Sequence, residues 1–483
     1  MSQKSETHIV VVSNRGPFSF TLEEGKTRAE KGSGGLVTAI SAVARENNIL
    51  WISCALSKGD RQWLSEVGDG VQALGDMKIK LVIPDARAYN AYYNIISNPL
   101  LWFVQHEMHD TPRHPVIDET VWKAWRDGYH AINRQLARAV ADAIQELEGR
   151  IIVMPQDYHL YLLPHYLREL VGNRIQIQTF LHIPWPGSDA WRVLPLSMRT
   201  EILESLLKAD RLGFQTERDT RRFLQTCVDT LSGVRVIRPW RCLAYRDRQV
   251  EAQPFPISID AKYLESRLES PEVQVHLEDF RRIYAGKKLI LRVDRVEPSK
   301  NILRGFMAYQ NFLTSNPEYR GKVGMLALLV PSRMEVMEYK HYLRDITSIV
   351  GEINATLGDS EWEPIRLLLG NNYDRAIAAL SMYDVLLVNP LTDGMNLVAK
   401  EGGILNRNGG VLILSEEAGA AEELGENSLL VSPYDVFGTR QAILEALNMP
   451  VEERSENARR LREYIQVNDI HRWFSRQIEE PAS

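Results

Sequence analysis

The residues with most chemical potential in this 483-residue chain sit where apolar runs give way to polar turns. Val11-Val12-Ser13-Asn14-Arg15-Gly16-Pro17 is the first such place, and Gly32-Ser33-Gly34-Gly35-Leu36 follows it. Leu36, Ala39, Ile40, Val43 and Ala44 fall on one helical face, so Gly34 and Gly35 sit just before a helix N-terminus. Free backbone N–H groups and the positive end of the dipole there favour a phosphate. The glycines do not match G-x-G-x-x-G, which removes the dinucleotide fingerprint. A glycine-rich turn can also be plain punctuation. Arg15 tips the balance, because a guanidinium at a strand's C-terminal end points at the crevice where such sheets bind ligands.

Asp157, in Met154-Pro155-Gln156-Asp157-Tyr158-His159, and His182, in Leu181-His182-Ile183-Pro184-Trp185-Pro186, again follow apolar strands. Each alone reads more simply as a helix cap or a loop histidine; together they suit sugar hydroxyls or a proton. Arg295 and Lys300 lie five apart in Arg292-Val293-Asp294-Arg295-Val296-Glu297-Pro298-Ser299-Lys300-Asn301, a spacing that lets two cations converge on a diphosphate. The most specific run is Thr392-Asp393-Gly394-Met395-Asn396-Leu397-Val398-Ala399-Lys400-Glu401. A helix starting there can hold a diphosphate and Glu401 can grip a ribose diol, although Asp393 would also serve as an ordinary N-cap. Tyr93 and Trp102 lie in an aromatic-rich stretch that composition alone assigns to a core, and Arg333 follows another apolar strand.

Positioning these residues takes parallel sheets. Short apolar runs alternate with helical patterns along the whole chain, which predicts an α/β fold of two doubly wound domains. Strands are expected at His8–Ser13, Ile49–Ala55, Ile79–Pro84, Arg150–Pro155, Ile175–Leu181 and Arg211–Phe214. A second set is expected at Lys288–Val293, Val323–Pro331, Ile365–Gly370, Val385–Pro390, Gly410–Ser415 and Ser428–Ser432. The pattern restarts after the polar stretch Glu251–Asp260. The expected organisation is therefore an N-terminal domain 1–255, a second domain 256–450, and a helical tail 451–483 that crosses back to the first.

A net charge of -6 provides no basic footprint for nucleic acid, and no apolar run is long enough for a bilayer. Cys54, Cys227 and Cys242 suit neither a disulfide framework nor a zinc site, which points to a reducing, cytoplasmic setting.

These segments, in this order, resemble the trehalose-6-phosphate synthase family of retaining GT-B glycosyltransferases over about His8–Phe474. Gly213-Phe214-Gln215-Thr216 also stands as that family has it. The resemblance implies two Rossmann-like domains facing a central cleft, a UDP-glucose donor and glucose 6-phosphate as acceptor. It implies acceptor-phosphate binding by Arg15, Tyr93, Trp102 and Arg333. It implies donor binding by Gly34, Gly35, Arg295, Lys300, Asp393, Gly394, Met395, Asn396, Leu397 and Glu401. Asp157, His182, Arg295, Lys300 and Asp393 are the catalytic set it implies, with no metal and no cofactor. Gln156, Thr392 and Asn301 depart from the family's usual His, Arg and Gly. They keep open a pseudo-glycosyltransferase, or a related synthase, using a cyclitol, amino-sugar or glycerol phosphate. A sugar-phosphate sensor on the same scaffold is the non-enzymatic alternative. A homo-oligomer is left open.

Overall fold

Runs such as Ile9-Val10-Val11-Val12 are β-branched and wholly apolar, so they are stable only as strands covered on both faces. In the computed structural model, which describes residues 6–479 except 24–25, 33–34, 45–46 and 239–240, that is what they form. The chain divides into two units. One runs to Pro256 and resumes at Ile470; the other is Ile257–Asp469.

The strands of the first unit are β1 (Thr7–Ser13), β2 (Phe18–Glu23), β3 (Lys26–Lys31), β4 (Ile49–Cys54), β5 (Gln72–Leu74) and β6 (Met77–Val82). They continue with β7 (Arg150–Pro155), β8 (Gln176–Phe180), β9 (Arg211–Phe214), β10 (Arg235–Arg238), β11 (Cys242–Tyr245) and β12 (Arg248–Pro254). Ten of them make one sheet in the order β10-β11-β12-β9-β8-β7-β1-β4-β6-β5, while β2 and β3 pair as a separate antiparallel hairpin. Everything from β12 to β6 is parallel, and the antiparallel pairs lie only at the two ends.

The second unit holds β13 (Lys288–Val296), β14 (Val323–Pro331), β15 (Ile365–Leu369), β16 (Val385–Val388), β17 (Val411–Ser415) and β18 (Leu429–Val431). They form an all-parallel sheet in the order β15-β14-β13-β16-β17-β18. Its core packs Ile290, Phe306, Leu329, Ile346, Leu387 and Ile443 between sheet and helices.

The tail is two helices. Val451–Val467 buries Leu461 and Ile465 within the second unit. Ile470–Ile478 belongs to the first, where Trp473 Nε1 donates to Phe255 O at 3.0 Å and Arg211 Nη1 to Gln477 O at 3.3 Å.

Two features had no signature in the sequence. Ala91–Trp102 winds as a π-helix around an internal Pro99, with Ser97 Oγ and Asn98 Nδ2 reaching back five residues to the carbonyls of Tyr92 and Tyr93. The helical run that starts at Glu119 ends at Ala143 and contains a π-helical stretch, Trp125–His130. Such windings are rare and gather at functional sites.

Candidate active site

In an open parallel sheet, ligands bind beyond the strands' C-terminal ends where the strand order reverses. The first sheet reverses between β1 and β7, the second between β13 and β16. Ser13-Asn14-Arg15 ends β1 and Gln156-Asp157 follows β7; Arg295 through Lys300 end β13 and Asn389 through Asp393 follow β16. Arg15 and Asp157 thus fall at the first reversal and Arg295, Lys300 and Asp393 at the second, while His182 and Arg333 follow the neighbouring strands β8 and β14.

At the first reversal the turn after β1 is fixed by Ser13, whose Oγ donates to Arg15 O at 2.6 Å and accepts from Trp51 Nε1 at 2.7 Å. Asn14 Oδ1 accepts from Tyr89 OH at 3.1 Å. Arg15 is left exposed, its guanidinium carbon 6.0 Å from the centre of the Tyr93 ring. Tyr93 itself stacks between Tyr89 and His159, at 5.6 and 5.9 Å. Trp102 lies deeper, 2% exposed and stacked on His106 at 3.9 Å. The glycine-rich helix begins at Gly35 and buries Ile40, Val43 and Ala44; Gly34 lies outside the described residues.

Asp157 has a backbone φ of 72°, strained for an aspartate, and makes no helix-capping bond. Instead its Oδ1 accepts from His182 N at 3.2 Å. His182 Nε2 lies 3.0 Å from Gln156 Oε1, while Gln156 Nε2 donates to Met154 O. That amide orientation makes Nε2 the protonated ring nitrogen and Nδ1 the acceptor. Burial pulls the imidazole pKa down to about 3, so His182 is neutral at working pH.

In the second unit Lys300 Nζ pairs with Asp393 Oδ2, which also accepts from Asn396 Nδ2 at 3.1 Å. Asp393 is therefore not the N-cap. Asn396, with φ 75°, caps the helix Leu397–Leu405 through Ala399 N. The loop is tied down by Gly419 N to Asp393 O at 3.0 Å and Ala420 N to Met395 O at 2.8 Å. Gly394, Met395 and Asn396 are buried in it, and Leu397 opens the helix half-buried. Glu401 accepts from Tyr373 OH at 3.1 Å. Burial raises its carboxyl pKa to about 7, against the lowering effect of that bond.

Arg295 remains 57% exposed, 3.2 Å from Glu297. Arg333 belongs to this unit too and meets the same carboxylate at 3.4 Å. Asn301 has φ 55°, a left-handed conformation that suits Gly best and Asn next. Its departure from the usual glycine is a backbone matter. Nothing in the structure explains Thr392.

The model of glycosyltransferase family 20 matches residues 7–482. The chain belongs to glycosyltransferase family 20. This glycosyltransferase is 32% identical over 471 residues to the UDP-forming α,α-trehalose-phosphate synthase 2 of Aspergillus niger, covering 96% of this chain and 94% of that one. It is 34% identical over 484 residues to a probable UDP-forming synthase of Arabidopsis thaliana, covering 96% of this chain but only 56% of the plant protein. Its fold matches the E. coli trehalose-6-phosphate protein bound to UDP-2-fluoro glucose, with TM-score 0.84, 28% identity and 98% and 100% of the two chains covered. It also matches a Burkholderia xenovorans synthase in complex with glucose 6-phosphate, with TM-score 0.83, 27% identity and 97% and 98% covered. The architecture is the GT-B class.

Two residues that brace the loop after His182 escaped the sequence reading. Gln105 Oε1 accepts from Tyr161 OH at 2.6 Å and its Nε2 donates to Pro184 O at 3.1 Å, which ties the loop after His182 to the chain just beyond the π-helix. Asp219 Oδ1 accepts from Trp185 N at 2.9 Å on the other side of that loop, and burial lifts its pKa to about 6. Thr216-x-x-Asp219 is a helix-start pattern, so Asp219 had a readable signal. Gln105 had none. Among the described residues no helix is long and apolar enough to cross a membrane, and no cluster of three His, Cys, Asp or Glu side chains could hold a metal ion.

Proposed function

We propose that this glycosyltransferase moves glucose, with retention, from UDP-glucose to glucose 6-phosphate, forming trehalose 6-phosphate. The reading rests on near full-length similarity to a UDP-forming synthase, in a chain that keeps a competent side chain at each position assigned to the reaction.

Arg15, Tyr93, Trp102 and Arg333 hold the acceptor's phosphate. Asp157 and neutral His182, the latter through Nδ1, accept hydrogen bonds from the sugar hydroxyls. Arg295, Lys300 and the N-terminus of the helix Leu397–Leu405 take the donor diphosphate, and Gly34 and Gly35 of the glycine-rich segment also serve the donor. Asp393 through Leu397 contact the transferred sugar, and Glu401 holds the ribose diol. Lys300 rests on Asp393 until the diphosphate competes for it. Two cations and a helix dipole stabilise the leaving diphosphate electrostatically, so no metal is required. The donor's own phosphate oxygen draws the proton from the attacking hydroxyl on the same face. The enzyme works in the cytoplasm, where its three buried cysteines stay reduced.

Asn301 was one ground for a cyclitol acceptor, and its left-handed backbone accounts for it without new chemistry. The discriminating experiment compares kcat/KM for glucose 6-phosphate with that for amino-cyclitol and glycerol phosphates, using UDP-glucose. Glucose 6-phosphate is expected to be preferred by at least about tenfold, the margin that one well-placed polar contact supplies. A cyclitol phosphate turning over faster would overturn the reading.

A further inference from the structure

Glu297 lies just beyond β13 and is only 2% exposed, a costly place for a carboxylate unless it is paired. Its Oε1 receives three groups: Arg295 Nη1 at 3.2 Å, Arg333 Nη1 at 3.4 Å and Ser332 Oγ at 3.3 Å. Its backbone holds the same loop, with Glu297 N donating to Arg295 O at 2.8 Å and Lys300 N to Glu297 O at 3.0 Å. Arg333 is further braced by Tyr339 OH, and its backbone sits at φ 47°, which a non-glycine residue occupies only when its surroundings hold it there.

One oxygen thus fixes two guanidinium groups that would otherwise repel each other across a short gap. We propose that Glu297 is a positioning residue that sets the donor-diphosphate arginine and the acceptor-phosphate arginine as a pair. The proposal rests on the roles given above to Arg295 and Arg333. Glu297 touches neither substrate; it acts by holding both cations in register, so its loss is felt at both substrates together.

The test is steady-state kinetics in both substrates for Glu297→Gln, which keeps the volume and an acceptor oxygen but not the charge. Both KM values are expected to rise roughly tenfold, the size of coupling typical of side chains sharing one network. A purely structural role would lower the active fraction, and hence kcat, with both KM values unchanged. Simple removal of a negative charge would lower both KM values by favouring anions. Either result overturns the proposal, as does a rise confined to one substrate. Tyr339→Phe leaves Glu297 in place and should raise the acceptor KM alone; a matching rise in the donor KM would also contradict the pairing. Arg295→Ala and Arg333→Ala serve as controls. If they fail to separate into donor and acceptor effects, the assignment of those arginines fails, independently of what Glu297 does.

Discussion

At the scale of single residues, burial sets the charge state of two candidate site groups, His182 and Glu401. Glu401 shows this most plainly. Burial raises its carboxyl pKa from 4.5 to about 7, so much of it is protonated in the neutral range. A raised carboxyl pKa favours the protonated form in the fold. Its contribution to stability is therefore full below 4.5 and is lost as pH climbs to about 7. Gripping a ribose diol needs the ionised form as acceptor, so kcat/KM for the donor should rise with pH through about 7 and then level off. Glu401→Gln should lower kcat/KM and flatten that limb; an unchanged limb would remove Glu401 from the donor site. The sequence made Asp157, His182, Lys300 and Asp393 legible because each sits next to a strand end within a short motif. It could not show that Asp157 bonds His182 N, or that Lys300 rests on Asp393, because those pairings join separate strand ends. Glu297 and Gln105 stayed invisible for the same reason: an isolated Glu or Gln carries no mark of the partners that tertiary packing will bring it.

At the scale of elements, the reversal of the second sheet is held by one buried cation. Arg292, on β13, donates Nη1 to Asn389 Oδ1 at 2.6 Å beyond β16, bonds Lys300 O, and pairs with Asp294 at 2.9 Å. Gly305, on the helix Ile302–Ser315, leaves room for it: an added Cβ would lie 2.3 Å from Arg292 Nη1. A guanidinium pinned by three partners cannot step aside, so Gly305→Ala should destabilise by about 1–3 kcal/mol through overpacking. A thermal melt checks this, and an unchanged Tm would mean that the network yields. Parallel, doubly covered strands were readable to the residue, as at Arg150–Pro155, Arg211–Phe214 and Val323–Pro331, because burial on both faces leaves an unbroken apolar run. The hairpin of β2 and β3, the edge strand β10 and the interior strand β12 were not. Their sequences, among them Lys-Thr-Arg-Ala-Glu-Lys and Arg-Gln-Val-Glu-Ala-Gln-Pro, are broken by charged and polar residues and so present no unbroken apolar run. The π-helix at Ala91–Trp102 differs from an α-helix by hydrogen-bond register, which residue types do not encode.

At the scale of the whole molecule, each unit carries its own largely parallel sheet and places candidate site residues at that sheet's reversal. The C-terminal helix Ile470–Ile478 returns to the first unit through a strongly one-sided face of Ile470, Trp473 and Phe474. The sequence led to the expectation that the whole tail 451–483 crosses back; Val451–Val467 instead stays with the second unit, which residue types did not reveal because both helices are charged and amphipathic. The central claim is acceptor-dependent, metal-independent glucosyl transfer. Its most direct test is nucleoside diphosphate release from UDP-glucose in excess chelator, with and without glucose 6-phosphate, followed by the mass of the product. The account predicts release that depends on glucose 6-phosphate, is unchanged by the chelator, and yields a disaccharide phosphate. Release that ignores the acceptor, or that stops when metal is removed, would contradict it.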